Sequence, residues 1–430
     1  EAPPSKSYTH RGVLAGALAE GTVALGNPLA SADPRASARC AGLLGADVDE
    51  GAEGRGGDAG EGGGDGEDWT IRGVGGEPRV PPDVMDCGNS GTTMRLFAGA
   101  SALCDGVAVL TGDASLRDRP NGPLLDALTA LGAPARSTRG DGRAPLVVEG
   151  PLEGGAASID GSVSSQFVSS LLFAGACTEG LELAVEGALK SRPYVDVTVE
   201  VMEAFGVDVE ETEDGGYVVP GGQTYRADVY QVPGDFSSAS YPLAAGALAA
   251  GDGTAVEVAN LYPSAQGDEA ILDVLERMGA SVDWDREAGV ARVERGDLAG
   301  IAFDAGDTPD LVPTVAVLGC AAEGETRIHG AAHLRHKETD RIEAMATELS
   351  TMGAAVEERE DGLRVDGDAS ALRGADVDGR HDHRVVMALA LAGLVADGPT
   401  SIATAESVAI SYPGFAEAMR GLGADVETRE

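Results

Sequence analysis

Residues 6–21 read KSYTHRGVLAGALAEG: a polar start, an apolar helical run and a closing glycine. The same layout returns as NSGTTMRLFAGASALCDG (89–106), SSQFVSSLLFAGACTEG (164–180), FSSASYPLAAGALAAG (236–251), PDLVPTVAVLGCAAEG (309–324) and DHRVVMALALAGLVADG (382–398). A second helical pattern follows each copy and also stops at a glycine: Gly45, Gly132, Gly206, Gly279, Gly353 and Gly423. Glycine after an apolar helical period predicts a helix C-cap in both series. Short β-like runs such as VAVLTG, LELAVEG and TRIHG lie between the helices. Two independent registers, each recurring every 70 to 87 residues, agree with one another. The reading is an α/β chain built from six copies of helix, strand, helix, strands.

The longer first interval has a visible cause. Residues 51–68, GAEGRGGDAGEGGGDGED, are glycine-rich and acidic, with too little apolar surface to offset the entropy of ordering. They are expected to be a flexible insertion without chemistry.

Composition narrows the function classes. A formal net charge of −40 disfavours nucleic acid and anionic membranes as partners and fits a solvated, salt-adapted surface. Aromatic residues are only 4%, so the core is expected to be aliphatic and rich in small residues. Cys40, Cys87, Cys104, Cys177 and Cys320 show no metal-finger spacing and read as free thiols in a reducing, cytoplasmic setting. No signal-peptide pattern is read, and the longest apolar run, about 385–396, is too short to span a bilayer. The chain begins at Glu1 rather than Met, so a few preceding residues are expected.

Cations are scarce, and their placement is informative. Lys6, Lys190 and Lys337 are the only lysines, and residues 333–341, HLRHKETDR, gather two histidines, two arginines and Lys337. The polar starts of the repeated helices carry Lys6, Ser7 and Arg11; Asn89, Ser90 and Gly91; Ser164, Ser165 and Gln166; Asp310; and His383 with Arg384. Helix N-termini offer unpaired N–H groups and partial positive charge, so these starts, with FSSASY at 236–241 as the sixth and together with Arg119, Lys337 and Arg341, predict an anion site. For any single start, an ordinary N-cap is the simpler reading.

The motifs PPSKSYTHR, GNSGTTMR, DRPNGPLLDAL, DGSVSSQF, SRPY, GDFSSASY, PDLVPT, KETDR, DHRVVMAL and SYPGF, in this order, resemble the EPSP synthase family (5-enolpyruvylshikimate-3-phosphate synthase, 3-phosphoshikimate 1-carboxyvinyltransferase). The resemblance runs from residue 3 to 415. It implies the enolpyruvyl transferase fold: two domains, each of three βαβαββ units around a pseudo-threefold axis. It implies residues 6–232 as one domain, mainly binding shikimate 3-phosphate. Residues 1–5 with 233–430 form the other, carrying KETDR and DHR, and the implied active site is a cleft between them. The implied reaction moves an enolpyruvyl group from phosphoenolpyruvate to the 5-hydroxyl of shikimate 3-phosphate, releasing phosphate by addition and elimination. Neither cofactor nor metal is expected, the substrates are the only expected partners, and the chain is expected to be monomeric.

Carried over residue by residue, Lys6, Ser7, Arg11, Ser164, Ser165, Gln166, Ser191, Tyr194, Asp310, His333 and Lys337 resemble the shikimate-3-phosphate contacts. Lys6, Gly91, Arg119, Gln166, Arg341 and Arg384 resemble the phosphoenolpyruvate contacts. Asp310 is the implied acid/base at the 5-hydroxyl and Glu338 the implied proton shuttle at the methylene carbon, with Lys6 and His383 assisting. Alternatives from the residues alone are a helix cap for Asp310 and an exposed charge for Glu338. Arg95 reads equally as a structural partner or a ligand. Gly91 has no side chain to exclude glyphosate, the family's phosphoenolpyruvate-competitive inhibitor, so sensitivity is expected. Two positions depart from the family pattern: His333 stands where Asn or another polar residue is common, and Ile410 where a Lys is usual.

Three other readings compete with this one. The sister family acting on UDP-N-acetylglucosamine commonly has a Cys in the loop before its RP dipeptide, and TGDASLRDRPNGP has none. A metal enzyme would use the HxH and HxxxHxxH spacings among His329, His333, His336, His381 and His383. A non-catalytic anion-binding relative would have lost activity through Ile410.

Overall fold

The computed structural model describes residues 1–51, 68–251 and 253–429. Most of the glycine-rich stretch 51–68 therefore lies outside the described residues. The chain divides into two compact units, Pro4–Val232 and Glu1–Pro3 with Pro233–Glu430, against an expected division at residue 6.

Within Pro4–Val232 one topology occurs three times. Met85–Asp86 pairs in parallel with Val107–Thr111, which pairs antiparallel with Leu146–Glu149, which pairs antiparallel with Ala135–Ser137. Gly155–Asp160, Gly180–Glu186, Tyr217–Pro220 and Glu210–Glu211 repeat that order. In each case a helix links the parallel pair, Gly91–Ala102 in one and Ser165–Gly175 in the other, because parallel neighbours need a long crossover. The third sheet lacks a preceding strand of its own. Val229–Gln231, from the end of the unit, supplies the parallel partner of Thr22–Gly26 and so closes the set.

The other unit keeps the plan with trimmed members. Ala302–Asp304, Gly324–His329, Gly362–Gly367 and Ala355–Arg359 form the complete sheet. Ala255–Val258, Val290–Glu294 and Ser281–Asp285 form a three-stranded one, and Asp376–Asp378 pairs with Ser401–Ala403 alone.

The first helix of every repeat is buried on nearly all sides, which explains its Ala- and Gly-rich sequence. Small residues let backbones approach. A Cβ on Gly99 would stand 2.5 Å from the Ser170 carbonyl oxygen of the neighbouring Ser165–Gly175 helix. Arg95 and Gly99 meet that helix through Ser170, whose hydroxyl donates to the Arg95 carbonyl at 2.6 Å and accepts the Gly99 N–H at 3.2 Å.

The second helices end as their glycines require. Gly45, Gly132, Gly206, Gly279, Gly353 and Gly423 all have left-handed φ, between 75° and 111°. The residue after each donates its N–H back to a carbonyl five residues earlier, as in Ala46 to Ala41 and Val207 to Met202, the six-to-one bond of a Schellman cap. The glycines of the first series are different. Gly21, Gly106, Gly180, Gly324 and Gly398 are also left-handed, but their helices end two or more residues earlier, at Leu18, Ala102, Gly175, Ala321 and Gly393. They turn the chain into the next strand rather than cap the helix.

Candidate active site

In Pro4–Val232 the helix starts are joined by hydrogen bonds in which hydroxyls, amides and carbonyls accept, from one another and from the guanidinium groups of Arg95 and Arg119. Ser90 caps Gly91–Ala102, its hydroxyl accepting the Thr93 N–H at 3.1 Å. Ser164 caps Ser165–Gly175 through the Gln166 N–H at 3.3 Å. Arg95 ties the two starts together, donating to Gln166 Oε1 at 2.7 Å and Ser164 Oγ at 3.4 Å. It also reaches the 120–121 loop, through the Pro120 carbonyl and Asn121 Oδ1. Gln166 donates in turn to Thr92 Oγ1 at 2.8 Å. Arg119 donates to Asn89 Oδ1 at 2.9 Å, and the site a Cβ on Gly91 would fill lies 3.1 Å from Arg119 Nη1. Gly91, Arg119, Arg95, Ser164 and Gln166 are thus one connected group.

Lys6 and Arg11 share the Lys6–Leu18 helix but have different settings. Lys6 Nζ meets Asp33 Oδ2 at 3.3 Å. Arg11 is 1% exposed and spends its guanidinium inside, on Thr198 Oγ1 at 2.8 Å and the Ser7 and Tyr194 carbonyls at 2.9 and 2.8 Å. Burial pulls its pKa down to about 10, and it remains a cation at neutral pH. Its geometry anchors the backbone of Ser7 and Tyr194. Ser191, just ahead of the Pro193–Ala204 helix, is held at φ 55°, a left-handed conformation that costs a non-glycine residue energy.

In the second unit the site residues are held by charge. Arg341 is 2% exposed and donates to three carboxylates: Asp382 at 2.7 Å, Asp310 at 2.8 Å and Glu338 at 2.7 Å. Burial works against its charge, but Asp382, Glu338 and Asp310 together hold it more firmly protonated than usual. The other oxygen of Asp310 accepts from Arg384 at 2.8 Å. Asp310 is therefore clamped between two guanidinium groups. Lys337 belongs to the same field: burial lowers its pKa, with Asp310 and Glu338 opposing the shift and Arg341 adding to it. His383 is buried beside Asp382, its Nδ1 4.0 Å from the carboxylate.

The second helix of the fifth repeat, which closes at Gly353, is Arg341–Thr351. Asp340 takes the Glu343 N–H at 3.0 Å and caps it, so Lys337 to Thr339 precede the helix. Glu338 and Arg341 therefore pair across a cap rather than along a helical face. Arg335, in the short turn Ala332–His336, is structural: it meets Asp340 and Glu358 and the carbonyls of Arg359 and Glu360. The flanking basic residues thus divide, with Arg335 bracing the loop and Lys337 and Arg341 facing the carboxylates.

Three further residues contribute, two of them, Asp382 and Asp268, absent from the candidates above. Asp382 is fully buried and serves twice, gripping Arg341 and accepting the Arg384 N–H at 2.9 Å. Its place in DHR was its one signal. Arg95 was left undecided, and its position one turn after Gly91 was the signal. Asp268 is buried and hydrogen-bonded by the Ser237 hydroxyl. Burial, reinforced by Asp310, pushes its carboxyl up to about 7. Nothing in the run GDEAILDVL separates it from an ordinary acidic helix start.

Two other histidines, His329 and His381, fall elsewhere. His329 faces Asp304, His381 faces Glu406, and both contacts are solvent-exposed. Among the described residues, no group of three or more His, Cys, Asp and Glu side chains is arranged to hold a metal ion. Among the described residues, no helix is long and apolar enough to cross a membrane.

Residues 1–419 match the family model described as EPSP synthase (3-phosphoshikimate 1-carboxyvinyltransferase). The chain belongs to the EPSP synthase family. It is 58% identical to the 3-phosphoshikimate 1-carboxyvinyltransferase of Halobacterium salinarum, over 99% of this chain and 96% of the relative. It is 52% identical to that of Halorubrum lacusprofundi, over 99% of this chain and 95% of the relative. An EPSP synthase structure from Acinetobacter baumannii superposes with a TM-score of 0.80 at 31% identity, covering 98% of this chain and 94% of that one. The family match runs through both units, and these matches set aside the sister family acting on UDP-N-acetylglucosamine.

Proposed function

We infer that the chain carries out the reaction of its family: it transfers the carboxyvinyl group of phosphoenolpyruvate to the 5-hydroxyl of shikimate 3-phosphate. In the addition, the 5-hydroxyl oxygen bonds to C2 of phosphoenolpyruvate, the hydroxyl proton leaves to a base, and a proton joins the C3 methylene. In the elimination, a proton leaves the resulting methyl group, the C2–O bond to phosphate breaks, and the enol ether forms. No redox step is involved.

The observation that carries the reading is the clamp on Asp310. A carboxylate held between Arg341 and Arg384, with Glu338 on the same guanidinium, combines proton-transfer groups with fixed cations in one small volume. We assign Asp310 to the 5-hydroxyl proton and Glu338 to the methylene carbon. Arg341, Arg384, Lys6, Arg119 and the backbone at Gly91 are assigned to phosphoenolpyruvate. Ser7, Ser164, Ser165, Gln166, Ser191, Tyr194, His333 and Lys337 are assigned to shikimate 3-phosphate, with Arg11 holding Ser7 and Tyr194 in place. His383 supports the acid/base pair through Asp382. The reading further assigns the protein to the cytoplasm as a monomer.

The test is phosphate release by the purified protein in high salt, with each substrate omitted in turn. Release that needs both substrates and disappears in Asp310→Asn supports the reaction and the assignment together. Binding of both substrates without release would favour a non-catalytic relative, with Ile410 as the first residue to convert to Lys.

A further inference from the structure

A buried chain of hydrogen bonds crosses three helices of the Pro4–Val232 unit, through side chains none of which is itself assigned to a substrate. His10 lies one turn after Lys6 on Lys6–Leu18, Ser37 one turn after Asp33 on Ala32–Leu43, and Thr93 in the first turn of Gly91–Ala102. His10 Nδ1 is 2.7 Å from Ser37 Oγ, which is 2.8 Å from Thr93 Oγ1, which is 2.8 Å from the Ser90 cap hydroxyl. All four side chains are buried, none more than 1% exposed. The first two of these helices, Lys6–Leu18 and Ala32–Leu43, are tied a second time, one turn nearer their starts, by Lys6 and Asp33.

Proton counting gives this chain a direction. A hydroxyl has one proton to donate. With Thr93 donating to Ser90, Thr93 must accept from Ser37, and Ser37 must accept from His10. His10 is then the neutral tautomer with its proton on Nδ1. Its Nε2, which has no hydrogen-bond partner among the described residues, is the unprotonated nitrogen. Burial, with Lys6 and Arg11 close by, keeps the ring neutral.

We propose that His10 is a positioning residue for the reaction: it fixes the Ser90 cap and the Gly91 end of its helix against Lys6 before phosphoenolpyruvate arrives. This rests on the assignment of Gly91, Arg119 and Lys6 to that substrate. A site set in advance loses less freedom on binding. The effect of losing His10 therefore falls on phosphoenolpyruvate affinity, not on the proton transfers.

The experiment compares His10→Leu, which fills space without a hydrogen bond, with His10→Asn, which restores a donor. Steady-state kinetics and hydrogen exchange of the 91–94 amides are measured on both. His10→Leu is expected to raise KM for phosphoenolpyruvate about tenfold, roughly one buried hydrogen bond, with kcat and KM for shikimate 3-phosphate little changed. Exchange at 91–94 is expected to quicken while the Ser165–Gly175 helix keeps its protection, and His10→Asn is expected to recover both. Unchanged KM and exchange in His10→Leu overturn the proposal, as does a loss spread over every helix that His10→Asn does not recover. Where His10→Leu does not fold, Ser37→Ala cuts the chain at its middle, and wild-type behaviour there overturns it too. Should the wild-type protein turn over neither substrate, the functional reading fails, while the exchange comparison still decides whether His10 holds the helix start.

Discussion

The two units solve the same problem with different chemistry. Each must hold polar groups at helix starts against the pull of solvent. In Pro4–Val232 the acceptors are neutral: hydroxyls, amides and carbonyls of Ser90, Ser164, Gln166 and Asn89, and the carbonyls of Ser7 and Tyr194. They also receive the guanidinium groups of Arg11, Arg95 and Arg119. In the other unit the holding is done by carboxylates and guanidinium groups, with Arg341 bonded to three acids. Neutral networks are tolerant, since removing one partner strands a dipole. Charged ones are brittle, since removing one partner strands a buried charge.

The sharpest way to break the comparison is Arg341→Met. It leaves Asp382 fully buried without its guanidinium partner, and a loss of about 3–5 kcal/mol in urea denaturation is expected, with turnover abolished. A loss under about 1 kcal/mol would mean the acids relax to solvent or protonate and the mesh is not brittle. Arg11→Lys makes the matching test in Pro4–Val232, where the buried guanidinium meets neutral oxygens rather than carboxylates. The ammonium cannot reproduce the planar fork on Thr198, Ser7 and Tyr194, and a loss of about 1.5–3 kcal/mol is expected from the same titration.

Gly91→Ala acts on function more than on stability. The added Cβ would stand 3.1 Å from Arg119 Nη1, tight enough to displace a flexible guanidinium without breaking the fold. KM for phosphoenolpyruvate is expected to rise about tenfold, roughly 1.4 kcal/mol, with the melting temperature unchanged or slightly raised by the better helix former. An unchanged KM would remove Gly91 and Arg119 from that subsite. Inhibition by glyphosate measured on the same pair of proteins is expected to weaken in parallel.

Per pH unit, the smallest expected effects are in pH dependence, and they have opposite signs in the two units. His10 stays neutral in the fold because of burial, Lys6 and Arg11, so below its ordinary pKa of 6.5 the unfolded chain takes the proton first. Acidification through that point therefore destabilises. Asp268 is raised by burial and Asp310 from 3.8 to about 7, so between those values the folded chain holds the extra proton. Acidification there stabilises, and the contribution is lost as pH rises through 7. Each slope is at most about 1.4 kcal/mol per pH unit. Urea titrations from pH 4 to 7 should show Asp268→Asn steepening the loss on acidification and His10→Asn flattening it. Parallel curves for both variants would remove the contrast.

Much of this was legible in the order of residues. The six repeats, the twelve glycines and the motif set were on the surface of the sequence, and the cations of KETDR and DHR pointed to an anion site. What could not be read was which polar residues face one another. Asp268 looks like any acidic residue at a helix start, and Ser37 in DPRASARC has no local sign that it bridges His10 and Thr93. Arg335 and Arg341 are both arginines of one basic stretch, yet one braces a loop and the other gathers three acids. The glycines of the first series were misread as caps because an apolar run continues past the last helical turn into the approach to the strand.

By itself the sequence determined the repeat, the glycine caps that end the second helices, and the family. These depend on local rules: periodicity, cap geometry and the left-handed freedom of glycine. The tertiary structure alone decided which charges are compensated, which carboxyl stays protonated near neutral pH and which way the buried hydroxyls point. Those properties depend on distance and desolvation between residues far apart in the chain. Electrostatic energy and hydrogen bonding fall off within a few ångströms of space, a separation that position along the chain does not encode.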